Sequence, residues 1–386
     1  MAEASILLIL LCLGGVYAGY PLAAIALAAL KGPRQTCARQ APPASATIIL
    51  CAHNEAAVIG PKLRSVFAAA AGRRERIDII VCDDGSHDGT AEAVEAVAGQ
   101  SPVPLQVMRL PRGGKAAALR RAIAAAQGEI LVFSDADPIW EEGALAALLA
   151  PFADPRVGAV AGEVRSLRSQ ANRRWRAGEA LFRSYESAIR RAEDRLFGCI
   201  SADGGLFALR AVLAEPVPGD VTDDFFLSTA AVARGHRIAF EPGAAVWENA
   251  PAGQRQHFGR RIRITVRGLT GLWRRRALLN PWRTGGYAFG LLFHKLLRRL
   301  APLLLVPLWF AALALVVERG EFAHILLFAL GTACAAGTLL LLLLPISVPR
   351  PLRLPAYAGI HLTGLLVGTV LFLTGKRFTQ WAPHRQ

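Results

Sequence analysis

Long uncharged apolar segments lie at both ends of the chain and predict helices that cross a membrane. Residues 4–30 carry no charged side chain. Three further apolar segments follow near the carboxyl end: 300–317, 322–345 and 356–374. A helix rises about 1.5 Å per residue, so about 20 apolar residues cross the hydrocarbon core of a bilayer. We therefore expect an N-terminal anchor and a C-terminal membrane region, residues 300–386, with about three spans.

The charges around the first apolar segment favour a retained anchor over a cleaved signal peptide. A signal peptide carries basic residues before its apolar core, but here Glu3 precedes the segment. The nearest basic residues follow it instead: Lys31, Arg34 and Arg39. Positive charge collects on the cytosolic side of spans, so the N-terminus is expected outside and the next domain in the cytosol, at the inner (plasma) membrane. Residues 1–31 are then the anchor and 32–45 a linker.

The C-terminal tail does not fit this scheme. After an odd number of C-terminal spans, Lys376 and Arg377 would lie outside, against the same charge rule. Two alternatives stay open: one of the three segments is re-entrant, or the tail is an exception to the rule.

Between the apolar ends, strand-like and helix-like segments alternate. Short apolar runs predict strands at 47–52, 77–82, 105–110 and 130–133, and helical patterns separate them at 55–71, 91–98 and 116–127. Further along, we expect a helix over 167–197, a strand at 206–209, a helix from 222 to 234, and strands at 238–242 and 244–247. Such alternation predicts an α/β domain, residues 46–250, with a mostly parallel sheet covered by helices on both faces.

Polar clusters follow the predicted strands, where α/β sheets bind their ligands. The clusters are His53-Asn54-Glu55, Asp83-Asp84-Gly85-Ser86, Gly113-Gly114-Lys115 and Asp135-Ala136-Asp137, and a Thr222-Asp223-Asp224 segment opens a later helix. Residues i and i+2 of a strand point to the same side, so Asp135 and Asp137 can converge on one hard cation. A polar turn or a helix cap is the alternative explanation for this pair.

Composition and charge indicate a membrane protein with anionic partners. Hydrophobic residues make up 53% of the chain, and 44 Lys and Arg against 29 Asp and Glu give a net charge of +15. We attribute this excess to anionic lipid or an anionic substrate, because no nucleic-acid recognition motif accompanies it. Eight arginines and no acid lie between residues 255 and 276, interleaved with apolar residues. This pattern predicts amphipathic helices at a membrane surface, over residues 251–299.

Taken in order, these motifs resemble those of inverting glycosyltransferases of family 2, in their membrane-integrated form. The resemblance covers about residues 47–268. It implies the GT-A fold, a Rossmann-like α/β fold with a mostly parallel mixed sheet, as a cytosolic catalytic domain flanked by transmembrane helices. It also implies a hexosyltransferase with a nucleotide-sugar donor, for which a UDP-sugar is our first expectation. The acceptor would be lipid-linked or a saccharide.

The resemblance assigns donor contacts to the first clusters. Asn54 and Glu55 match a P-x-Y-N-E segment, although Cys51 and His53 stand where Pro and Tyr are usual. Asp83 and Asp84 match a D-D-G-S signature, in which Asp83 would accept the imide N–H of uracil. The alternatives are that Glu55 only begins a helix and that the two aspartates form a tight acidic turn.

The remaining motifs are assigned to diphosphate, metal and acceptor. Gly114 and Lys115 would contact the donor diphosphate, unless Lys115 is a solvated surface lysine. Asp135 and Asp137 match the pair that binds Mg²⁺ or Mn²⁺, with Asp135 also beside the donor. Asp224 ends a segment resembling T-E-D and would be the general base, unless the segment only caps its helix. The resemblance places acceptor contacts at Asp203, Gly204 and Asp223.

One departure from the family pattern affects the expected product. Processive synthases carry Q-x-x-R-W after the base, but the aligned run here is Arg260-Arg261-Ile262-Arg263-Ile264. Arg263 would still meet the diphosphate, whereas the missing Trp argues against long-chain synthesis; lipid-facing arginines are the alternative. We therefore expect addition to a lipid-linked or polysaccharide acceptor, with a processive synthase that exports its product as the second possibility. A non-catalytic membrane assembly partner is a third, from a different class.

Overall fold

The computed structural model of the chain describes residues 2–32, 43–166, 176–249, 253–344 and 348–379. Eight strands are present in this part: β1 (Ser45–Ala52), β2 (Arg76–Asp84), β3 (Leu105–Leu110), β4 (Ile130–Ser134), β5 (Ile139–Trp140), β6 (Val157–Ser166), β7 (Phe207–Arg210) and β8 (Arg237–Glu248). They form one sheet in the order β3-β2-β1-β4-β7-β6-β8-β5. Strands β1 to β4 pair in parallel, whereas β7 runs antiparallel to both β4 and β6. The sheet is therefore mixed, with a parallel half at its N-terminal side.

Helices cover both faces of the sheet, and longer helices lie at the two ends of the chain. They are α1 (Ala2–Lys31), α2 (Ala56–Ala70), α3 (Thr90–Ala98), α4 (Lys115–Ala125), α5 (Ala144–Leu149), α6 (Arg176–Leu196), α7 (Asp223–Ala233), α8 (Gln254–Arg274), α9 (Gly286–Arg319), α10 (Phe322–Leu343) and α11 (Arg353–Leu373). Every residue of β1 is buried, because its alternate side chains enter two different cores. Ile48 packs in the core below α2, and Ile49 packs in the opposite core with Leu119 of α4.

In the described part of the chain, four helices are long and apolar enough to cross a membrane: α1, α9, α10 and α11. The structure joins the predicted interface segment at 287–299 and the predicted span at 300–317 into the single helix α9. Its first turns pack on the sheet domain, where Gly290 lies so close that a Cβ would meet Ile200 at 2.4 Å. Its second half carries large exposed apolar residues such as Phe310 and Val317. One helix therefore joins the sheet domain to the apolar bundle.

Helix α11 runs alongside α8 instead of leaving the sheet domain. Gly364 lies against Arg261 and Gly368 against Thr265, so the two helices pack side by side in the same direction. At the start of α11, Tyr357 donates a hydrogen bond to Glu179 of α6 (2.7 Å). Beyond its end, the Thr379 carbonyl lies 3.8 Å from a Cβ built on Gly219 of the sheet domain. The start of α11 and the residues just after its end thus contact the sheet domain, and α11 is also long and apolar enough to cross a membrane.

Three elements of the sheet domain escape the sequence patterns: β5, α5 and β6. Strand β6 is central to the C-terminal half of the sheet, but its sequence is rich in Gly and Ala, which have low strand propensity. The two predicted strands at 238–242 and 244–247 are one strand, β8, with a register shift opposite Gly162 and Glu163. The helix predicted from 167 is described only from Arg176, and most of the predicted linker also lies outside the described residues.

Candidate active site

Most of the predicted site residues line one cavity of about 680 Å³ beside the carboxyl ends of the parallel strands. Those on its wall are Glu55, Lys115, Asp135, Asp137, Asp203, Gly204, Asp223, Asp224 and Arg263. Four others lie off the wall: Asn54, Asp83, Asp84 and Gly114. Helices α6, α8, α9 and α11 contribute the far side of the cavity, so it extends from the sheet toward the apolar helices.

Asp84 organises the loop before α4 and does not face the cavity. Its carboxylate accepts hydrogen bonds from the backbone N–H groups of Gly113 (2.7 Å) and Gly114 (2.9 Å) and pairs with Arg112. The close approach of the two loops explains the glycine after the aspartates. Gly85 has φ +66°, and a Cβ there would lie 2.7 Å from the backbone nitrogen of Arg112. Asp84 is therefore a positioning residue for the Gly-Gly-Lys loop.

Asp83 and Asn54 lie together in a neighbouring turn. Ser86 donates its backbone N–H (3.2 Å) and its hydroxyl to one oxygen of the Asp83 carboxylate. Asn54 has φ +55°, accepts from the backbone N–H of His87 (2.9 Å) and donates its own N–H to Ser86 (3.0 Å). The structure thus fixes the orientation of Asp83, with its second oxygen accepting no hydrogen bond from the described residues.

Lys115 links the two carboxylate motifs of the cavity. Its ammonium lies 2.5 Å from Asp135 Oδ1 and 2.8 Å from Asp223 Oδ2, although the two aspartates are 88 positions apart in sequence. Attraction by the ammonium outweighs burial and holds the pKa of Asp223 below its usual value. The prediction of a solvated lysine is thereby excluded, because Lys115 is mostly enclosed between these acids.

The surroundings of Asp135 and Asp137 fit a divalent cation. Both carboxylates reach the cavity wall, and hard oxygen donors suit Mg²⁺ or Mn²⁺. Gly204 leaves the space that the Asp135 carboxylate occupies, since a Cβ there would lie 2.7 Å from Asp135 Oδ2. The Gly204 carbonyl also accepts the backbone N–H of Asp135 (3.0 Å), which fixes the loop.

Lys62 supports the loop of Asp135 and Asp137 from inside the protein, and the sequence patterns did not predict this role. The side chain is fully buried in α2, and its ammonium donates to Ser134 Oγ (2.6 Å) and the Pro138 carbonyl (2.7 Å). Burial lowers its pKa to about 7, although Asp137 and Asp135 act in the opposite direction. The sequence does contain a signal that this lysine is buried, because Lys62 lies next to Leu63 and three residues from Ile59, on the apolar face of its helix.

Asp224 has the pKa that a general base requires. It lies in the first turn of α7, where its carboxylate accepts the backbone N–H of Phe225 (2.7 Å). Burial, together with the negative charges of Asp223 and Asp203, raises the pKa of Asp224 to about 6. Asp203 is itself paired with Arg190 (2.7 Å), which contributes to a pKa lowered to about 2. Thr222 makes no side-chain cap to the helix, whereas Asp224 accepts a first-turn N–H and also lines the cavity.

Several arginines of α8 face the protein, which contradicts the alternative that these arginines face lipid. Arg260 pairs with Glu248 (2.7 Å), and Arg267 donates to the Val221 carbonyl (2.9 Å). Arg263 lines the cavity, as predicted for a residue near the donor. The amphipathic pattern was correct in its period, but its polar face covers the cavity. Sequence alone cannot distinguish a charged cavity wall from a charged membrane surface.

Comparison with known proteins agrees with this fold and site. Residues 47–213 match the model of the family described as Glycosyl transferase family 2. The poly-beta-1,6-N-acetyl-D-glucosamine synthases of Staphylococcus aureus (strain COL) and Staphylococcus epidermidis are 29% and 26% identical over 250 and 247 residues. These alignments cover 62% of this chain, and the chain spans about half the length of these relatives (54%).

A solved structure is similar over nearly the whole chain. A mannosyltransferase from Pyrobaculum calidifontis, in complex with GDP-Man and Mn²⁺, is 25% identical with a TM-score of 0.75, covering 97% of this chain and 100% of its own. The similarity therefore includes the helices at the chain ends as well as the sheet domain. These matches confirm the resemblance drawn from the motifs and favour an enzyme over a non-catalytic assembly partner. Residues 47–213 match the family 2 glycosyltransferase model, and they belong to a GT-A domain flanked by helices that are long and apolar enough to cross a membrane.

Proposed function

We propose that the protein transfers a sugar, with inversion, from a nucleotide-sugar donor to a lipid-linked or saccharide acceptor at the cytosolic face of the inner membrane. The observation that carries the proposal is one cavity that holds a carboxylate pair, a lysine and a half-buried carboxylate of raised pKa. This combination provides a place for a diphosphate and a base for an acceptor hydroxyl. Relatives named as polysaccharide synthases and a neighbour solved with GDP-Man support the class of reaction.

The donor would lie between the Asp83 turn and Asp135. The free oxygen of the Asp83 carboxylate accepts an imide N–H, which suits uracil and is the basis for proposing a UDP-sugar. Guanine offers an imide N–H as well, and the similar mannosyltransferase is solved with GDP-Man. GDP-sugars are therefore included among the donors to be tested. Glu55 and Arg263 would complete the donor contacts, and Asn54 and Asp84 would act through the turns that they hold.

The diphosphate would meet Lys115 and the Asp135–Asp137 pair. A bound Mg²⁺ or Mn²⁺ would supply Lewis-acid neutralisation of charge on the leaving diphosphate. Lys115 holds Asp135 in place through the 2.5 Å ion pair, and its ammonium presents positive charge to a phosphate beside the N-terminus of α4. The Gly114 backbone, at φ +85°, shapes the approach to that helix.

Asp224 would remove the proton from the acceptor hydroxyl as its oxygen attacks the anomeric carbon. A base with a pKa near 6 is mostly ionised at neutral pH and still a useful proton acceptor. Direct displacement at an α-linked donor gives a β-linked product, because the oxygen enters opposite the leaving group. Asp203, Gly204 and Asp223 lie beside Asp224 on the cavity wall and would contact the acceptor.

The proposal is tested by release of nucleoside diphosphate from a panel of UDP- and GDP-sugars by protein purified in detergent. Wild type is compared with Asp224→Asn and with Asp220→Asn, a control carboxylate that pairs with Arg274 off the cavity wall. We expect one donor to turn over with Mn²⁺ or Mg²⁺, no turnover in EDTA, and loss in Asp224→Asn only. Equal turnover by Asp224→Asn would refute the base assignment, and silence with every donor would refute the transferase reaction.

Processive synthesis is the second candidate function. It is favoured by the named activity of the curated relatives, and opposed by Ile264 in the place of the synthase Trp. Product length separates the two candidates. Single additions to the acceptor support our first proposal, whereas long polymers made from a limiting amount of acceptor support the second.

A further inference from the structure

The far side of the cavity carries four cations that already have partners. Each of them forms an ion pair with a carboxylate: Arg183 with Glu248 (2.6 Å), Arg190 with Asp203 (2.7 Å), Arg260 with Glu248 (2.7 Å) and Arg298 with Glu186. Burying charge without a partner is unfavourable, so such pairing is the normal arrangement in a protein. Each of these four guanidinium groups is already engaged by a carboxylate, and Glu248 serves two of them.

Three further cations on the same wall are different. Among the described residues, no carboxylate forms an ion pair with Arg261, Lys295 or Arg299. Arg261 lies over the Phe182 ring at 5.4 Å, and Arg299 donates only to the Lys295 carbonyl (2.7 Å). We call these three residues the cation trio. The cavity wall therefore holds three positive charges that form no ion pair with a described carboxylate, although Glu179, Glu186, Asp203 and Asp224 lie close enough for their charges to interact with them.

The same wall also holds unsatisfied hydrogen-bonding atoms. Arg261 Nε, His257 Nε2 and His361 Nδ1 are buried and have no hydrogen-bond partner among the described residues. Buried polar nitrogens are nearly always paired, so these orphans, together with Arg183 Nε and Arg190 Nε on the same wall, indicate that a ligand supplies hydrogen-bonding atoms there. The two imidazole rings lie 6.1 Å apart, close to Arg261 between α8 and α11.

The cation trio lies between Asp224, the proposed base, and the apolar helices. Arg299 is close enough to Asp224 for their charges to interact, and Gly268 leaves room for its guanidinium, which lies 2.8 Å from the position of a Cβ there. Lys295 and Arg299 belong to α9, just before the helix enters its apolar half. An anion bound by the trio would thus lie within reach of Asp224 on one side and of the membrane on the other.

We propose that the cation trio binds the phosphate of a lipid-linked acceptor, so that the acceptor is a phosphate carried on an apolar chain. This inference deepens the proposed transfer and rests on it. Guanidinium and ammonium groups recognise phosphate through charge-assisted hydrogen bonds, which are stronger than neutral ones. The trio would fix the head of the lipid, and a sugar hydroxyl attached to that head would face Asp224.

The test measures ligand binding in the absence of donor, so its outcome is independent of the transfer reaction. Thermal unfolding of detergent-purified protein is followed during titration with farnesyl monophosphate, farnesol or inorganic phosphate. The variants are the double substitution Lys295→Gln, Arg299→Gln and the single Arg261→Gln. The matched control is Lys376→Gln, which removes the same charge from an exposed position near the end of α11.

We expect farnesyl monophosphate to raise the melting temperature of wild type and of Lys376→Gln, with farnesol and inorganic phosphate much weaker. The dissociation constant should rise at least about tenfold in the trio variants, because charge-assisted hydrogen bonds are lost. Without ligand, the trio variants should melt at or above the wild-type temperature, since each removes an uncompensated charge. This second signature separates loss of binding from loss of folding.

Three outcomes would overturn the inference. Equal stabilisation by inorganic phosphate would show a site for a free anion and not for a lipid head. Equal affinity of the trio variants and Lys376→Gln for farnesyl monophosphate would place binding elsewhere on the protein. If the donor KM rises in Lys295→Gln, Arg299→Gln while farnesyl monophosphate binding is unchanged, the trio holds the donor diphosphate instead.

Discussion

Replacing Asp224 by asparagine is expected to stabilise the folded protein while it abolishes sugar transfer. The carboxyl group has a pKa near 6, against a usual value of 3.8. A raised pKa means that the folded protein holds this proton more tightly than the unfolded chain does. The ionised carboxylate therefore opposes folding at neutral pH, and the neutral amide of asparagine removes that opposition.

The magnitude follows from the difference between the two pKa values. About two pKa units at about 1.4 kcal/mol each give a ceiling of about 3 kcal/mol, and partial exposure of the side chain reduces this to the order of 2 kcal/mol. The cost is complete above about pH 6 and vanishes below about pH 4, where both states are protonated. The gain in Asp224→Asn should therefore fall to about a third at pH 4.5.

The neighbouring residue provides a control of opposite sign. Lys115 holds the pKa of Asp223 below its usual value, so the ionised form of Asp223 stabilises the fold above that range and the contribution is lost as pH falls. Asp223→Asn is therefore expected to lower stability at neutral pH, although it changes the charge as Asp224→Asn does. The comparison separates the local environment of each carboxylate from net charge.

The assay is thermal unfolding in detergent with EDTA, at pH 7.5 and at pH 4.5, together with donor turnover at neutral pH. A gain of the order of 2 kcal/mol corresponds to roughly 4–8 °C in melting temperature. Loss of a general base lowers the rate by about 10² to 10⁴. The reasoning is refuted if Asp224→Asn and Asp223→Asn destabilise alike, or if the gain in Asp224→Asn is the same at both pH values.

Three further predictions concern the metal loop and the base. Gly204→Ala should lower turnover by about 10²-fold, because the added Cβ displaces the Asp135 carboxylate. The control is Gly259→Ala in α8, where an added Cβ meets open space, and it should keep the wild-type rate. Equal rates of the two variants would contradict this prediction. Lys62→Met should raise the half-saturating Mn²⁺ concentration of turnover about tenfold, because the loop loses two hydrogen bonds; an unchanged Mn²⁺ titration would exclude such support. The wild-type rate should fall below about pH 6 as Asp224 is protonated. Asp203→Asn should shift this fall in rate to lower pH, because it removes a negative charge that raises the pKa of Asp224. An unchanged pH–rate profile in Asp203→Asn would contradict this interaction between the two carboxylates.

The parallel half of the sheet and the position of the Asp135–Asp137 pair could be predicted from sequence, because both depend on short segments of the chain. Strands such as β3, at Leu105–Leu110, appear at the predicted residues, and polar side chains after parallel strands meet at one edge by topology. Asp135 and Asp137 both reach the cavity wall, although β4 ends at Ser134 and the pair lies in the loop that follows the strand. Asp224 could be placed by motif, but the charges that raise its pKa come from Asp203 and other distant positions.

Other parts of the site depend on long-range packing and leave little trace in the sequence. Lys62 looks like one polar residue in an apolar helix until the Asp135 loop folds over it. The arginines of α8 have the period of a surface helix, and only the packing of α11 and α6 against them makes the polar face a cavity wall. For the same reason, composition marks α11 as a candidate span, and only the structure shows that Tyr357 near its start and Thr379 beyond its end contact the sheet domain.

The place of α11 has a consequence for the order in which the protein matures during synthesis. The sheet and its metal loop lie before residue 250, so they can form while the ribosome is still making the later helices. The wall that carries His361 and Leu365 is translated more than 100 residues later. A nascent chain would therefore contain the proposed donor site before the wall of the proposed acceptor site is complete. Packing of α11 would complete the cavity, allow transfer to the acceptor and shield a bound donor from water.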